Sequence, residues 1–225
     1  MRERIERAAR RAGREPEAIT LVAVSKRKPA EDVAALAAAG AVHFGENFVQ
    51  EAREKIPRVA QLRGAAATPL CWHFVGRLQT NKARWVVTLF DQIESLDRPE
   101  LADALDRHAA RAGRVLDVLI QVNLCGEAQK GGVAPEALPE LAARVGDCKH
   151  LRLRGLMTVP AAGPDAESAR PAFRALRSAR DDLCARTTGL TLPVLSMGMS
   201  ADLEVAVEEG ATLVRVGTAL FGARE

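Results

Sequence analysis

Three stretches of this sequence carry residue types that could together hold a reactive carbonyl compound. The first is Leu21-Val22-Ala23-Val24-Ser25-Lys26, a β-branched run that ends in a lysine directly before Arg27-Lys28-Pro29. Such a run reads as a buried strand and the Pro29 segment as a turn. A lysine amine attacks a carbonyl only when unprotonated, and two adjacent cations with a low-dielectric pocket would both favour that state. Taken alone, Lys26 also fits a surface lysine closing a strand, because Lys is seldom buried.

The second stretch is Leu195-Ser196-Met197-Gly198-Met199-Ser200-Ala201-Asp202, and the third is Val214-Arg215-Val216-Gly217-Thr218. The hydroxyls of Ser196, Ser200 and Thr218, with the backbone N–H groups of Gly217 and Thr218 at the start of a short closing helix, suit a phosphate group. Gly217 would let the backbone approach a ligand where a Cβ would intrude. Ser200 also reads as the N-cap of a helix over 201–209. Arg215 is the one charge in a run of Leu, Val, Val and Gly, on the face it shares with Leu213 and Gly217. A guanidinium buried there needs an acceptor, supplied either by a ligand or by a structural ion pair.

The elements that would position these residues alternate along the chain. After an Arg-rich first helix ending near Gly13, strands are expected at 20–25, 42–45, 71–76, 92–96, 116–123, 153–159, 193–197 and 212–217. Helices are expected near 30–39, 47–63, 81–89, 98–112, 135–145, 165–186 and 200–209. Gly40 and Gly210 read as helix stops, Asp97 as an N-cap before Pro99, and Pro164-Asp165 as the start of the long helix. Eight β/α units without a hairpin signal predict a parallel sheet. The reading is a single (β/α)8 TIM-like barrel with an extra N-terminal helix, spanning 1–225 as one domain. A doubly wound open sheet, or a barrel with one unit misassigned, remains as an alternative. In a barrel, the strand ends carrying Lys26, Asn47, Ser196 and Arg215 converge on one mouth.

Composition narrows the function classes. The chain has 48% hydrophobic and 27% charged residues and a net charge of +3, with 32 cations interleaved among 29 acidic residues. That pattern carries no nucleic-acid footprint. No apolar run approaches a membrane helix, and no signal-peptide core follows the start, so a cytoplasmic chain is expected. Cys71, Cys125, Cys148 and Cys184 are widely spaced, without CxxC or Cys/His ligand spacing, and read as reduced thiols with no metal site.

A Schiff-base lysine, a phosphate cradle and an inward arginine suggest a ligand with an aldehyde, a phosphate and a ring nitrogen, and pyridoxal 5′-phosphate has all three. The segments VAVSK, GENFVQEAREK, WHFVGRLQTNK, QVNLCGEAQKGG, LRGLMTVP and LSMGMSADLEVAVEEGATLVRVGTALFGAR, in this order over nearly the whole chain, resemble those of the pyridoxal phosphate homeostasis protein family. The resemblance implies a barrel similar to the N-terminal domain of alanine racemase, holding the cofactor as a Schiff base on Lys26. It implies that Arg215 faces the pyridine nitrogen, that Ser196, Gly217 and Thr218 hold the phosphate, and that Asn47 lies beside the ring. Ser200 and His73 would line the mouth. This sequence departs from the family pattern at Arg77 and Thr80, where Pro and Ser are usual, at Phe48 for Tyr and at Cys125 for Ser. Arg77 would add a cation near the mouth.

In the racemases of this fold, a tyrosine from a second domain works opposite the lysine. This chain contains 0 Tyr, and only a His (43, 73, 108 or 150) or a Cys could substitute. The resemblance therefore implies a carrier or regulator of pyridoxal phosphate, monomeric and without catalytic residues, with apo pyridoxal phosphate enzymes as possible recipients. A racemase-like enzyme is the alternative; a cofactor-free Schiff-base aldolase and a barrel that has lost its site are more distant readings.

Overall fold

Apolar runs of four to seven residues become the strands β1 (Thr20–Val24), β2 (His43–Glu46), β3 (Cys71–Phe74), β4 (Gln92–Leu96), β5 (Leu116–Gln121), β6 (Leu151–Met157) and β8 (Leu213–Val216), with a shorter β7 (Val194–Ser196). A computed structural model describes residues 1–127 and 131–222. Residues 128–130 of the QVNLCGEAQKGG segment and 223–224 of the last segment lie outside the described residues. All pairings are parallel and follow chain order. β8 pairs with β1 through Thr20–Leu213 to Ala23–Val216, so the sheet closes on itself. The open-sheet alternative is thereby excluded.

The helices are α1 (Arg2–Arg11), α2 (Ala30–Ala38), α3 (Val49–Arg63), α4 (Ala83–Leu89), α5 (Pro99–Ala112), α6 (Leu138–Gly146), α7 (Arg170–Arg186), α8 (Leu203–Glu208) and α9 (Thr218–Phe221). They cover the outward faces of the strands, where Phe44, Phe74, Ile93, Val118, Ile120 and Val214 are fully buried. The apolar spacing of α5 shows how: Leu101, Ala102, Leu105 and Ala109 fall on one stripe, and Gly113 at φ 61° ends the helix in the left-handed conformation that a Cβ disfavours. Among the described residues, no helix is long and apolar enough to cross a membrane.

Several boundaries differ from the sequence-based expectation, each for a local reason. The long α7 starts at Arg170, because Asp165 accepts hydrogen bonds from the Ser168 N–H (2.9 Å) and Oγ (2.7 Å) and organises a separate 3-10 turn ahead of it. α5 is preceded by Arg98 as N-cap residue, and Asp97 instead pairs with the Arg98 guanidinium. α8 begins at Leu203, and the Asp202 carboxylate accepts the Met199 N–H at 2.6 Å. Ser200 therefore lies in the preceding turn and is not the cap. The extra helix α1 buries Ile5, Ala8 and Ala9 and packs on α8. Its Arg4 pairs with Glu204 at 2.6 Å and donates to the Ser200 carbonyl at 3.0 Å, tying the loop after β7 in place.

Candidate functional site

Lys26 leaves the end of β1 in a tight turn. The Lys28 N–H returns to the Ser25 carbonyl at 3.0 Å, and Arg27 takes φ 61°, a left-handed conformation that is costly for a residue with a Cβ. Two groups on α3 and one on β2 hold this turn. The Lys55 ammonium, 6% exposed, donates to the Ser25 carbonyl (2.7 Å), to Glu46 (2.7 Å) and to Glu51. Glu51 in turn accepts the Arg27 N–H at 2.6 Å, and Ser25 Oγ donates to Glu46 at 2.7 Å. Burial pushes the Glu46 carboxyl up, and Lys55 and Ser25 only partly offset this. The Glu51 and Lys55 spacing of four residues puts both on one face of α3, so the clamp is built from local helix geometry.

The turn borders a cavity of about 390 Å³ at the C-terminal ends of the strands, within the size range of small-molecule sites. Lys26, Asn47, Ser200, Arg215, Gly217 and Thr218 line it. Asn47 Oδ1 is itself buried, without a hydrogen-bond partner among the described residues. A buried amide without a partner is costly unless a ligand or water meets it. No His, Cys, Asp or Glu occurs among the described lining residues, whose charged members are Lys26, Lys28 and Arg215. A larger groove of about 840 Å³ lies elsewhere, between α1, β1 and α2.

Below the cavity a polar chain crosses the barrel interior. Arg215, 5% exposed, donates through Nη2 to the Thr158 carbonyl at 2.9 Å and through Nη1 to Ser196 Oγ. Ser196 Oγ donates to Glu94 Oε2 at 2.5 Å, and Glu94 Oε1 meets His73 Nδ1 at 2.7 Å. β4 and β7 are not neighbours in the closed order, so the Glu94–Ser196 contact can only span the lumen. Burial pushes the Glu94 carboxyl up, but His73, the Arg215 charge and the Ser196 hydroxyl outweigh it and hold Glu94 below the usual carboxylate range. Burial likewise opposes a charge on His73, yet hydrogen bonds with Cys71 and Glu94 raise it to about 9.

Six of the seven residues expected at a ligand site thus share one cavity. Ser196 does not. It is fully buried outside the cavity lining, its hydroxyl engaged by Arg215 and Glu94. His73 is 1% exposed inside the barrel and does not line the mouth. Arg77 is exposed and outside the cavity lining. At Gly217, which lines the cavity, an added Cβ would sit 3.2 Å from the Val24 carbonyl, so the neighbouring strand also approaches closely there.

The sequence reading missed Glu94 and Lys55. Glu94 is the one charge of its strand, beside Gln92 and Ser95, a weaker form of the signal that singled out Arg215, and Lys55 was recoverable from its spacing to Glu51. The sequence reading also did not bring together His43, Cys71 and His73, whose donor atoms lie within 4.8 Å of one another. The Cys-x-His alternation of 71 and 73 puts both on one strand face, and only the β2–β3 register adds His43.

Fold and cavity together define a parallel barrel with a lysine at its mouth, and the family model described as alanine racemase, N-terminal domain, matches residues 1–225. A pyridoxal phosphate homeostasis protein from Pseudomonas aeruginosa is 47% identical over 222 residues, covering 99% of this chain and 92% of that protein. The chain belongs to the pyridoxal phosphate homeostasis protein family. PipY from Synechococcus elongatus, solved with pyridoxal phosphate bound, is 39% identical with a TM-score of 0.85, covering 97% of this chain and 100% of that one. An alanine racemase from Clostridium difficile shares the fold alone, at 14% identity and TM-score 0.69, over 99% of this chain and 55% of its own.

Proposed function

We propose that this protein binds pyridoxal 5′-phosphate at the barrel mouth and takes part in its intracellular homeostasis, with Lys26 as the covalent holder and no catalytic turnover of its own. The observation that carries this reading is the convergence of Lys26, Asn47, Ser200, Arg215, Gly217 and Thr218 on one cavity of about 390 Å³. When bound, the cofactor supplies an aldehyde that exchanges between amines, anchored by a phosphate and a pyridine ring.

The chain's own groups fit those demands. Lys26 offers its amine from a turn clamped by Lys55 and Glu51. The hydroxyls of Ser200 and Thr218 and the N–H groups at the start of α9 suit the phosphate, with Lys28 adding positive charge. Asn47 lines the same cavity, and its amide suits a polar substituent of the ring. Arg215, held by Ser196 and the Thr158 carbonyl, presents a fixed cation that disfavours a proton on a facing ring nitrogen. An unprotonated ring withdraws electrons weakly, and no described lining residue supplies a second base opposite Lys26. Both points favour holding over carbanion chemistry. We further propose that the protein acts as a monomer in the cytoplasm, compatible with its four free cysteines, and delivers cofactor to apo-enzymes.

The test is spectroscopic. Purified protein incubated with pyridoxal phosphate and freed of excess should keep a visible absorption band that Lys26→Ala loses. Retention of the same band by Lys26→Ala, or a colourless wild-type protein that takes up no cofactor, would sink this reading.

A further inference from the structure

We propose that His43, Cys71 and His73 form a binding site for a divalent first-row transition metal of the zinc class, inside the barrel on the opposite side of Glu94 from the cofactor cavity. The ladder between β2 and β3 pairs His43 directly with Cys71, and His73 follows two residues later on the same face. Nδ1 of His43 lies 3.0 Å from Nε2 of His73, and Sγ of Cys71 lies 3.4 Å from the same nitrogen. A tetrahedral zinc ion with ordinary Zn–N and Zn–S bonds needs about 3.3 Å between nitrogens and about 3.6 Å from nitrogen to sulfur. These two separations meet this with an opening of roughly 0.3 Å or less, and all three donor atoms lie within 4.8 Å of one another. One thiolate and two imidazoles select borderline-soft metals over magnesium or calcium.

An independent feature points to the same use. Metal-bound imidazoles characteristically have their second nitrogen held by a carboxylate, which fixes the ring and its basicity. Glu94, 0% exposed, does this to Nδ1 of His73 at 2.7 Å, so that Nε2 faces His43 and Cys71. An entry path exists as well: His43 lines the groove of about 840 Å³ between α1, β1 and α2, and both His43 and Cys71 are partly exposed. In binding, Cys71 coordinates as thiolate and each imidazole through a lone pair. Protons otherwise shared among the three donor atoms leave to solvent, and the fourth position is left to water.

The full chain with its cofactor, stripped by a chelator and equilibrated with zinc at controlled micromolar free concentration, should retain about one zinc per chain, with X-ray absorption showing one sulfur and two nitrogens as protein ligands. Cys71→Ala and His43→Ala should each weaken binding at least ~10-fold. Their visible cofactor band should persist, which separates this site from the Lys26 reading and shows that the variants are folded; Cys71→Ser serves if Cys71→Ala does not fold. A wild-type protein that retains no zinc, or variants that bind as tightly as wild type, would overturn the proposal.

Discussion

Lys55 brings its ammonium to Glu46, Glu51 and the Ser25 carbonyl, and through them holds the turn that carries Lys26. Glu46 is fully buried, so removing its cation leaves a carboxyl with the Ser25 hydroxyl as its remaining donor among the described residues. Breaking a buried pair from one side costs about 3–5 kcal/mol. Lys55→Met should therefore lower stability by that amount in urea titrations, and Lys55→Met combined with Glu46→Gln should recover part of it. A loss in the single variant below about 1 kcal/mol, the level of a surface pair, would contradict the clamp. Asn47 depends on a different restraint. A Cβ at Gly76 would lie 2.1 Å from the Asn47 carbonyl, so only glycine permits these two loops to touch.

Among the elements, α7 and α8 are joined by Glu208, which meets Arg170 at 2.8 Å, and above all by Glu209. Glu209, at the end of α8, receives Arg170 and Arg174 at 2.9 Å and Arg177 at 3.2 Å, while its carbonyl accepts from Arg177 at 2.9 Å. The hydrogen bond from Arg174 leads the causes that hold this carboxyl below its usual range; burial opposes it, and Arg170 adds to it. A carboxyl with a depressed folded pKa contributes stability that is fully present above its unfolded value of about 4.3 and is lost as pH falls through the lower folded value. Glu209→Gln should cost roughly 1.5–3 kcal/mol at pH 7. Its deficit relative to wild type should shrink below about pH 4, and denaturant midpoints at both pH values would show it. A deficit independent of pH would mean that packing, and not charge, sets the cost. The pairing matters to the site because α8 also carries Glu204, which orients Arg4 onto the loop containing Ser200.

Barrel closure makes the site a property of the entire chain, because Lys26 and Gly217 come from strands at opposite ends of the sequence that meet only through the β1–β8 ladder. A ligand bound across that seam stabilises the folded state over the unfolded one. At a free concentration 100 times Kd, the gain is about 2.7 kcal/mol, which for a domain of this size raises the melting temperature by about 5–10 °C. Wild-type protein should show this shift with pyridoxal phosphate in a calorimetric scan, whereas Lys26→Ala at the same concentration should show much less. Equal shifts in both proteins would place the binding energy elsewhere than the lysine.

The periodicity of apolar runs determined the eight β/α units, because strand and helix formation answers to local patterning. Lone charges or polar residues at strand ends, such as Lys26, Asn47 and Arg215, already marked the mouth. Glu94 escaped notice, since its partner His73 comes from the neighbouring strand and Ser196, 102 residues away, meets it only across the lumen. The tertiary structure alone decided which hydroxyl borders the cavity and which is already engaged. Ser196 and Ser200 are four residues apart with identical side chains, yet one is sealed beneath Arg215 and the other borders the cavity. Likewise, the meeting of His43 with Cys71 and His73 required a strand register that no local spacing encodes, because a one-residue slip would turn His43 to the opposite face.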